Sequence, residues 1–514
     1  MKIPDAAVSL DPNFTEGVKW AVVIAVVLTA VLEVLDSTIV NVALPHIQAA
    51  FGTTSNQTIW IATSYIVASV AVMPLTGLLA KQFGRRRLIN TAIIGFACFS
   101  VLAGFTSSIE LMVVCRLGQG LFGAFLIPLS QSILFQTFSK ENRGQAMALF
   151  GLGVVVAPVL GPTLGAMLTE HFSWRAVFFV NLPIAVLALT MIKGELPEER
   201  RKEVKIDWTG LFLMVLAIAA LQITLDLGEN REWFNSHLIQ VTALLTLIFG
   251  IAFIWRGNRT ASNIIDFGLF RDKSFAIANI AIMVFSFAMF GAMTILPMFV
   301  QGLMGYPILD AGYMFIPRGI AAGFSMVFTG IVLIKLVDPR GLMVLGLLLT
   351  GFGNILLTNL TLSASFWDLA MPGVISGLGM GLFFVPMSTL AFQNITAAQQ
   401  DEASGIYGVT RSIGSSIGIA IIGWQVTERT GFHSSILLSE VSVFNPNFVN
   451  WVAPLGMGIH QPTALQLAAA EVAKQASLLA FQDAFFLAGM AAFCMIPLAF
   501  LMQRPQQQRI AMAH

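Results

Sequence analysis

Fourteen stretches of about twenty mostly apolar residues follow one another along this chain. About 20 residues at a rise of about 1.5 Å each cross the hydrocarbon core of a bilayer. Only a helix there satisfies every backbone polar group within one segment. The runs lie near residues 20–43, 58–79, 88–107, 109–130, 145–168, 175–192, 208–228, 238–256, 275–300, 311–335, 341–361, 366–390, 404–424 and 483–502. Composition agrees: 56% of residues are apolar and 11% charged, with a mean hydropathy of +0.81, too little polar surface to clothe a soluble domain. The expected fold class is an all-α integral membrane protein with 14 transmembrane helices.

Charge placement sets direction. Of the 28 Lys and Arg, 21 fall in segments that face the cytoplasm if the N-terminus does. Basic residues are retained on that side, so both termini are expected inside. A net charge of +1 offers no field for nucleic acid. Residues 1–19 lack the basic-then-apolar order of a cleaved signal, so the first run is expected to stay in the membrane. Cys98, Cys115 and Cys494 sit apart in apolar runs, which predicts neither a disulfide framework nor a metal site.

The chain repeats itself. Gly77-Leu-Leu-Ala-Lys81-Gln-Phe-Gly84-Arg85-Arg86-Arg87 after the second run is weakly echoed from Gly330 to Arg340, and Gly77 to Gly330 is an offset of 253 residues. That offset carries the first run onto the ninth and the fourth onto the twelfth. The expected organisation is a cytoplasmic segment 1–19, a six-helix bundle 20–192, a charged linker 193–207, an inserted helix pair 208–256, a second linker 257–274 and helices 9 to 13 over 275–424. A long external loop 425–482 with an amphipathic surface helix at Pro462–Phe481, helix 14 at 483–502 and a cytoplasmic tail 503–514 complete it. Two bundles repeated about a membrane normal are a transporter architecture, and no pore-filter signature argues for a channel.

Ionisable residues inside spans cost at least about 2.5–3.5 kcal/mol each, so each needs a reason. Glu33 and Asp36 share a face of the first run, and Arg116 and Gln119 share a face of the fourth. Asp36 lies seven residues from the outer end of its run and Arg116 seven from the outer start of its own, so both sit roughly 10 Å deep. Two stacked layers are predicted, Asp36 with Arg116 and Glu33 with Gln119. The second repeat places Ser286, Met289 and Leu369 opposite Glu33, Asp36 and Arg116, which confines the charge chemistry to the first half. Such a cluster suits proton coupling; a purely structural ion pair is the competing reading. For Arg318 and Arg411 a structural role is favoured slightly, and Asp226 is read as interfacial. Pro158 and Pro162, with small residues every fourth position at Gly153, Ala157, Gly161 and Gly165, predict a bent, closely packed gating helix. Met283, Phe287, Met380, Phe384 and Met387, with Asn41 and Gln119, are candidate walls of a substrate cavity, although packing or lipid contact is the commoner fate of any one apolar residue.

These motifs resemble the major facilitator superfamily, in its fourteen-span drug:proton antiporter branch, the EmrB/QacA subfamily. The run Leu35-Asp36-Ser-Thr-Ile-Val-Asn41-Val-Ala-Leu-Pro45 is similar to that branch's first-span motif, Arg116-Leu-Gly-Gln119-Gly120 to the motif linked with proton transfer, and Gly161-Pro162 with Gly165 to the antiporter motif. Gly77, Gly84 and Arg85 resemble the gating loop. Lys81, however, stands where the family usually has Asp, so the family's charge pairing there is not implied for this chain. The resemblance implies two pseudo-symmetric six-helix bundles plus an inserted pair, in a bacterial inner membrane. Its implied activity is proton-driven export of amphipathic hydrophobic compounds, with no cofactor beyond the proton motive force. A periplasmic adaptor (a membrane fusion protein) and an outer-membrane channel are implied as partners, alongside the lipid bilayer. Coupled uptake or export of one specific metabolite or siderophore-like molecule is the alternative. A membrane enzyme finds no nucleophile, phosphate loop or metal set to support it.

Overall fold

The computed structural model describes residues 20–503 apart from 140–141, 194–195, 197–205, 258, 260–263, 443 and 456–460. The expected segment 1–19, most of the linker 193–207, part of the linker 257–274 and all of the tail 503–514 but its first residue lie outside the described residues. Among the described residues there is no strand, and thirteen helices are long and apolar enough to cross a membrane. Ala176–Ile192, a shorter apolar helix, supplies the remaining expected span. In chain order the spans are α1 (Trp20–Phe51), α2 (Ser55–Phe83), α3 (Arg85–Gly104), α4 (Ile109–Thr137), α5 (Arg143–His171), α6 (Ala176–Ile192), α7 (Trp208–Arg231), α8 (His237–Gly257), α9 (Lys273–Leu303), α10 (Asp310–Leu336), α11 (Pro339–Asn359), α12 (Phe366–Ala391), α13 (Gln400–Ser439) and α14 (Pro462–Leu501).

In the first half α1 packs on α5, α6 and α4, while α4 also packs on α2 and α3. In the second, α9 packs on α13, α12 on α10 and α11, and α14 on α13. The halves meet along two seams, α5 against α10 and α12, and α13 against α2 and α4. Because lipid is as apolar as a side chain, such helices associate through close packing. Gly153, Gly161 and Gly165 accordingly lie against α1, and Gly414 and Gly418 against the α9 backbone at Met283 and Phe287. The inserted pair joins through α7, which packs on α2 and α13, leaving α8 outermost. Arg256 at the end of α8 grips Asp207 before α7 in a bidentate pair, at 2.7 and 2.8 Å, which holds the Asp207 carboxyl below the usual carboxylate range.

Towards the face that carries the basic loops, buried apolar residues of both halves merge into one cluster, with Phe135, Phe275, Phe392 and Tyr407 among its members. At the opposite face each half keeps a separate cluster, around Met112, Trp174 and Phe178 in the first and Phe299, Phe481 and Phe485 in the second. The molecule is sealed at its basic face.

The segment expected to form an external loop differs from expectation. α13 runs unbroken from Gln400 to Ser439, across the expected boundary at 424. Pro462–Cys494 is one helix, so the expected surface helix is continuous with span 14 rather than lying apart from it. The cause is compositional: between Pro462 and Gly489 stand helix formers with no Gly or Pro, and a helix does not stop merely because the membrane ends. A short helix, Pro446–Val452, packs Phe448 and Val452 against Ala464 and Ala468.

Candidate functional site

Asp36, midway along α1, is fully buried, and Arg116 of α4 is 1% exposed. Their side chains form an ion pair, Nη1 to Oδ2 at 2.6 Å. The equal depth read from the two runs therefore ends in direct contact. Asp36 Oδ1 also accepts from Gln119 Nε2 at 2.9 Å and from Asn181 Nδ2 of α6 at 2.6 Å. Arg116 Nε donates to the Ile61 carbonyl at 3.1 Å, Nη1 donates to Gln119 Oε1 at 2.6 Å, and the guanidinium lies 4.2 Å from the Tyr65 ring centroid. Asn181 in turn donates to Ser100, whose hydroxyl donates to the Phe178 carbonyl. Five helices thus converge on one buried charge pair. A carboxylate out of water is tolerable only with such a set of donors.

The layering differs from expectation. Gln119 belongs to the Asp36 layer, not to a deeper one with Glu33, because its side chain reaches back one turn to bridge both partners of the ion pair. Fully buried, it lines no open cavity. Glu33 stands apart: Tyr65 Oη donates to its main-chain carbonyl at 3.4 Å, and the opposite charge acting on it is Arg411 of α13, across the divide between the halves, with no salt bridge joining them. Asn41 is exposed and donates only to Ser37 within α1. Asp226 is half-buried at the α7–α13 contact and accepts from Gln222, which also donates to Ser416.

The apolar candidates are packed. Met380, Phe384 and Met387 are buried, and Phe384 stacks on Phe150 of α5 at 6.4 Å between centroids, so this face of α12 closes the seam between halves instead of lining an open chamber. Met283 and Phe287 are half-buried. α5 remains helical through Pro158 and Pro162.

The basic face holds a second charged constellation. Gly84 (φ +83°) supplies the left-handed turn between α2 and α3. That turn aims Arg85 at α13, where Nε donates to both oxygens of Asp401, at 2.8 and 2.7 Å. Arg85 also donates to Gln136 and the Ala397 carbonyl, and Ser132 donates to Asp401 at 2.5 Å. Lys81 pairs with Glu402 at 2.8 Å. Gly77 is what lets α2 come so close, since a Cβ there would stand 2.6 Å from Glu402 Cα. Beneath lie Phe135 and Phe392, 4.7 Å apart. Glu402 further accepts from the main-chain N–H of Asp266, in the segment leading out of α8, at 2.5 Å. Asp401 and Glu402 escaped the sequence reading. The available signal was a loop, 391–403, without Lys or Arg that ends in two adjacent acids facing a loop rich in both.

The family model described as Major Facilitator Superfamily matches residues 26–419. The Multidrug export protein EmrB of Escherichia coli K12 is 32% identical over 484 residues, covering 92% of this chain and 93% of that protein. The Fatty acid resistance protein FarB of Neisseria gonorrhoeae is 30% identical over 93% of this chain and 95% of its own length. Among solved structures, the human organic anion transporter MFSD10 superposes with a TM-score of 0.59 at 14% identity, covering 93% of this chain and all of its own. The proton:xylose symporter XylE gives 0.57 at 15%, covering 94% and 97%.

Proposed function

The chain belongs to the Major Facilitator Superfamily, among its EmrB-type multidrug export proteins, and from that membership we propose that it exports amphipathic hydrophobic compounds in exchange for protons. It is a multi-pass membrane transporter rather than an enzyme. The observation that carries the coupling is the buried Asp36–Arg116 pair with its donors Gln119 and Asn181. Protonating Asp36 removes the attraction that holds Arg116, and losing that proton restores it, so a single proton exchanges two arrangements of α1 against α4. Glu33, on which the charge of Arg411 acts, extends the same logic across the halves.

On this reading the basic face is cytoplasmic and both termini lie there, in a bacterial inner membrane. The Lys81–Glu402 and Arg85–Asp401 pairs then latch the cytoplasmic gate after cargo has been loaded, leaving release to the other side. The proton motive force is the energy source, with no further cofactor. A periplasmic adaptor and an outer-membrane channel would carry cargo onward. The span 5 motif Gly161-Pro162 with Gly165 favours this over coupled uptake or handling of a single metabolite.

The test uses everted vesicles carrying a preformed pH gradient. Adding an amphipathic cargo discharges the gradient in the wild type, and Asp36→Asn abolishes the discharge at equal membrane content. Normal exchange by the variant overturns the coupling role.

A further inference from the structure

A guanidinium withdrawn from water without a carboxylate is costly, and the second half of this molecule contains one. Arg318 of α10 is 6% exposed. Among the described residues its sole side-chain polar contact is Nη2 to the thioether of Met380, at 3.8 Å, and no acidic side chain pairs with it. The first half shows what is missing. Through the 253-residue offset Arg318 corresponds to Tyr65, the ring on which Arg116 lies, whereas the counterpart of Asp36 is Met289. The second half keeps a buried cation at corresponding depth and supplies it no anion.

Its surroundings are those of an amphipath's path. The stem of Arg318 lies along Gly373 of α12, where an added Cβ would stand 3.4 Å from Arg318 Cβ. Met380 follows, and one turn further on Phe384 meets Phe150 of α5, with Met326 of α10 beside Gly151. A cation thus stands at one end of a strip of thioethers and aromatic rings that runs along the seam between halves. In the present conformation the strip is packed shut, and parting α5 from α12 uncovers it.

We infer that Arg318 is a head-group subsite, taking the carboxylate or similar anionic head of an amphipathic molecule whose apolar tail lies along Met380, Phe384 and Met326. A planar guanidinium suits a carboxylate through two parallel hydrogen bonds, and polarizable side chains suit tails of varied shape. The inference rests on the export reading and narrows its cargo.

Binding tests it without any gradient. Full-length protein in neutral-lipid nanodiscs is titrated calorimetrically with decanoate, decanol and decyltrimethylammonium. The wild type binds decanoate about tenfold or more tighter than decanol, as a charge-assisted hydrogen bond provides. Arg318→Gln brings decanoate to the decanol level and leaves decyltrimethylammonium unchanged. Met380→Glu, which sets a carboxylate beside the guanidinium, has the same effect on decanoate while compensating the buried charge, so it serves if the first variant does not insert. A wild type without preference for decanoate, or a preference that survives in either folded variant, overturns the subsite. Anion preference without gradient-driven efflux would count against the export reading and leave the subsite standing.

Discussion

Lys81 on α2 and Glu402 on α13 join the two halves through a 2.8 Å salt bridge at the basic face. Lys81 is 38% exposed, so the pair alone contributes at most about 1 kcal/mol. Its value is in register. Lys81→Glu places two acids face to face and should slow efflux severalfold, while the double exchange Lys81→Glu with Glu402→Lys should restore most of it. Failure of the double exchange to recover would show that the two charges do not act as a pair.

Arg85 and Asp401 form the stronger bond of the two, with Nε shared between both carboxylate oxygens and both side chains largely buried. Removing one member of a buried pair costs about 3–5 kcal/mol because the other is left uncompensated. Arg85→Met is therefore expected to open the seal more than Lys81→Met does. A cysteine introduced at Gln136, in a background lacking the native three, should react faster with an impermeant maleimide from the basic side.

Gly77→Ala forces a methyl carbon to within 2.6 Å of the Glu402 backbone. Nothing there is a flexible side-chain tip that can swing aside. The expected outcome is normal insertion, loss of efflux and the same gain in maleimide labelling at position 136. Wild-type efflux would mean that α2 and α13 need not approach this closely during transport.

Asp207 has its proton affinity lowered by Arg256. A carboxyl with a depressed folded value contributes stability that is complete above the ordinary carboxylate range, near pH 4, and is lost as pH falls through the folded value. Asp207→Asn should thus lower the melting temperature of detergent-solubilised protein at pH 7, with the deficit closing as the pH drops below about 4. A deficit independent of pH would assign it to packing.

In α14, Lys474 lies within a continuous helix rather than a loop, which should make it a poor trypsin site in intact spheroplasts. Ala473→Pro, costing about 3 kcal/mol in a helix interior, should render it cleavable. Rapid cleavage of the wild type would contradict the continuous helix.

Spans and halves were legible because apolar runs and the 253-residue echo are local signals. The Asp36–Arg116 contact was legible because depth in a bilayer can be counted along a helix. Partner choice was not. Whether Gln119 reaches to Asp36 or to Glu33 depends on a rotamer, and whether Lys81 meets an acid depends on which residue of α13 lies above it. The buried state of Met380 and Phe384 was equally hidden, since apolar character does not distinguish an open wall from a closed seam. The extension of α13 and α14 beyond their apolar runs was missed because hydropathy marks where a helix leaves lipid, not where it ends.

The Asp266 amide that bonds Glu402 belongs to the stretch leaving the inserted helices. Cutting that pair out to leave a twelve-span relic would therefore do more than shorten the protein: it would pull the bolt from the door at the basic face.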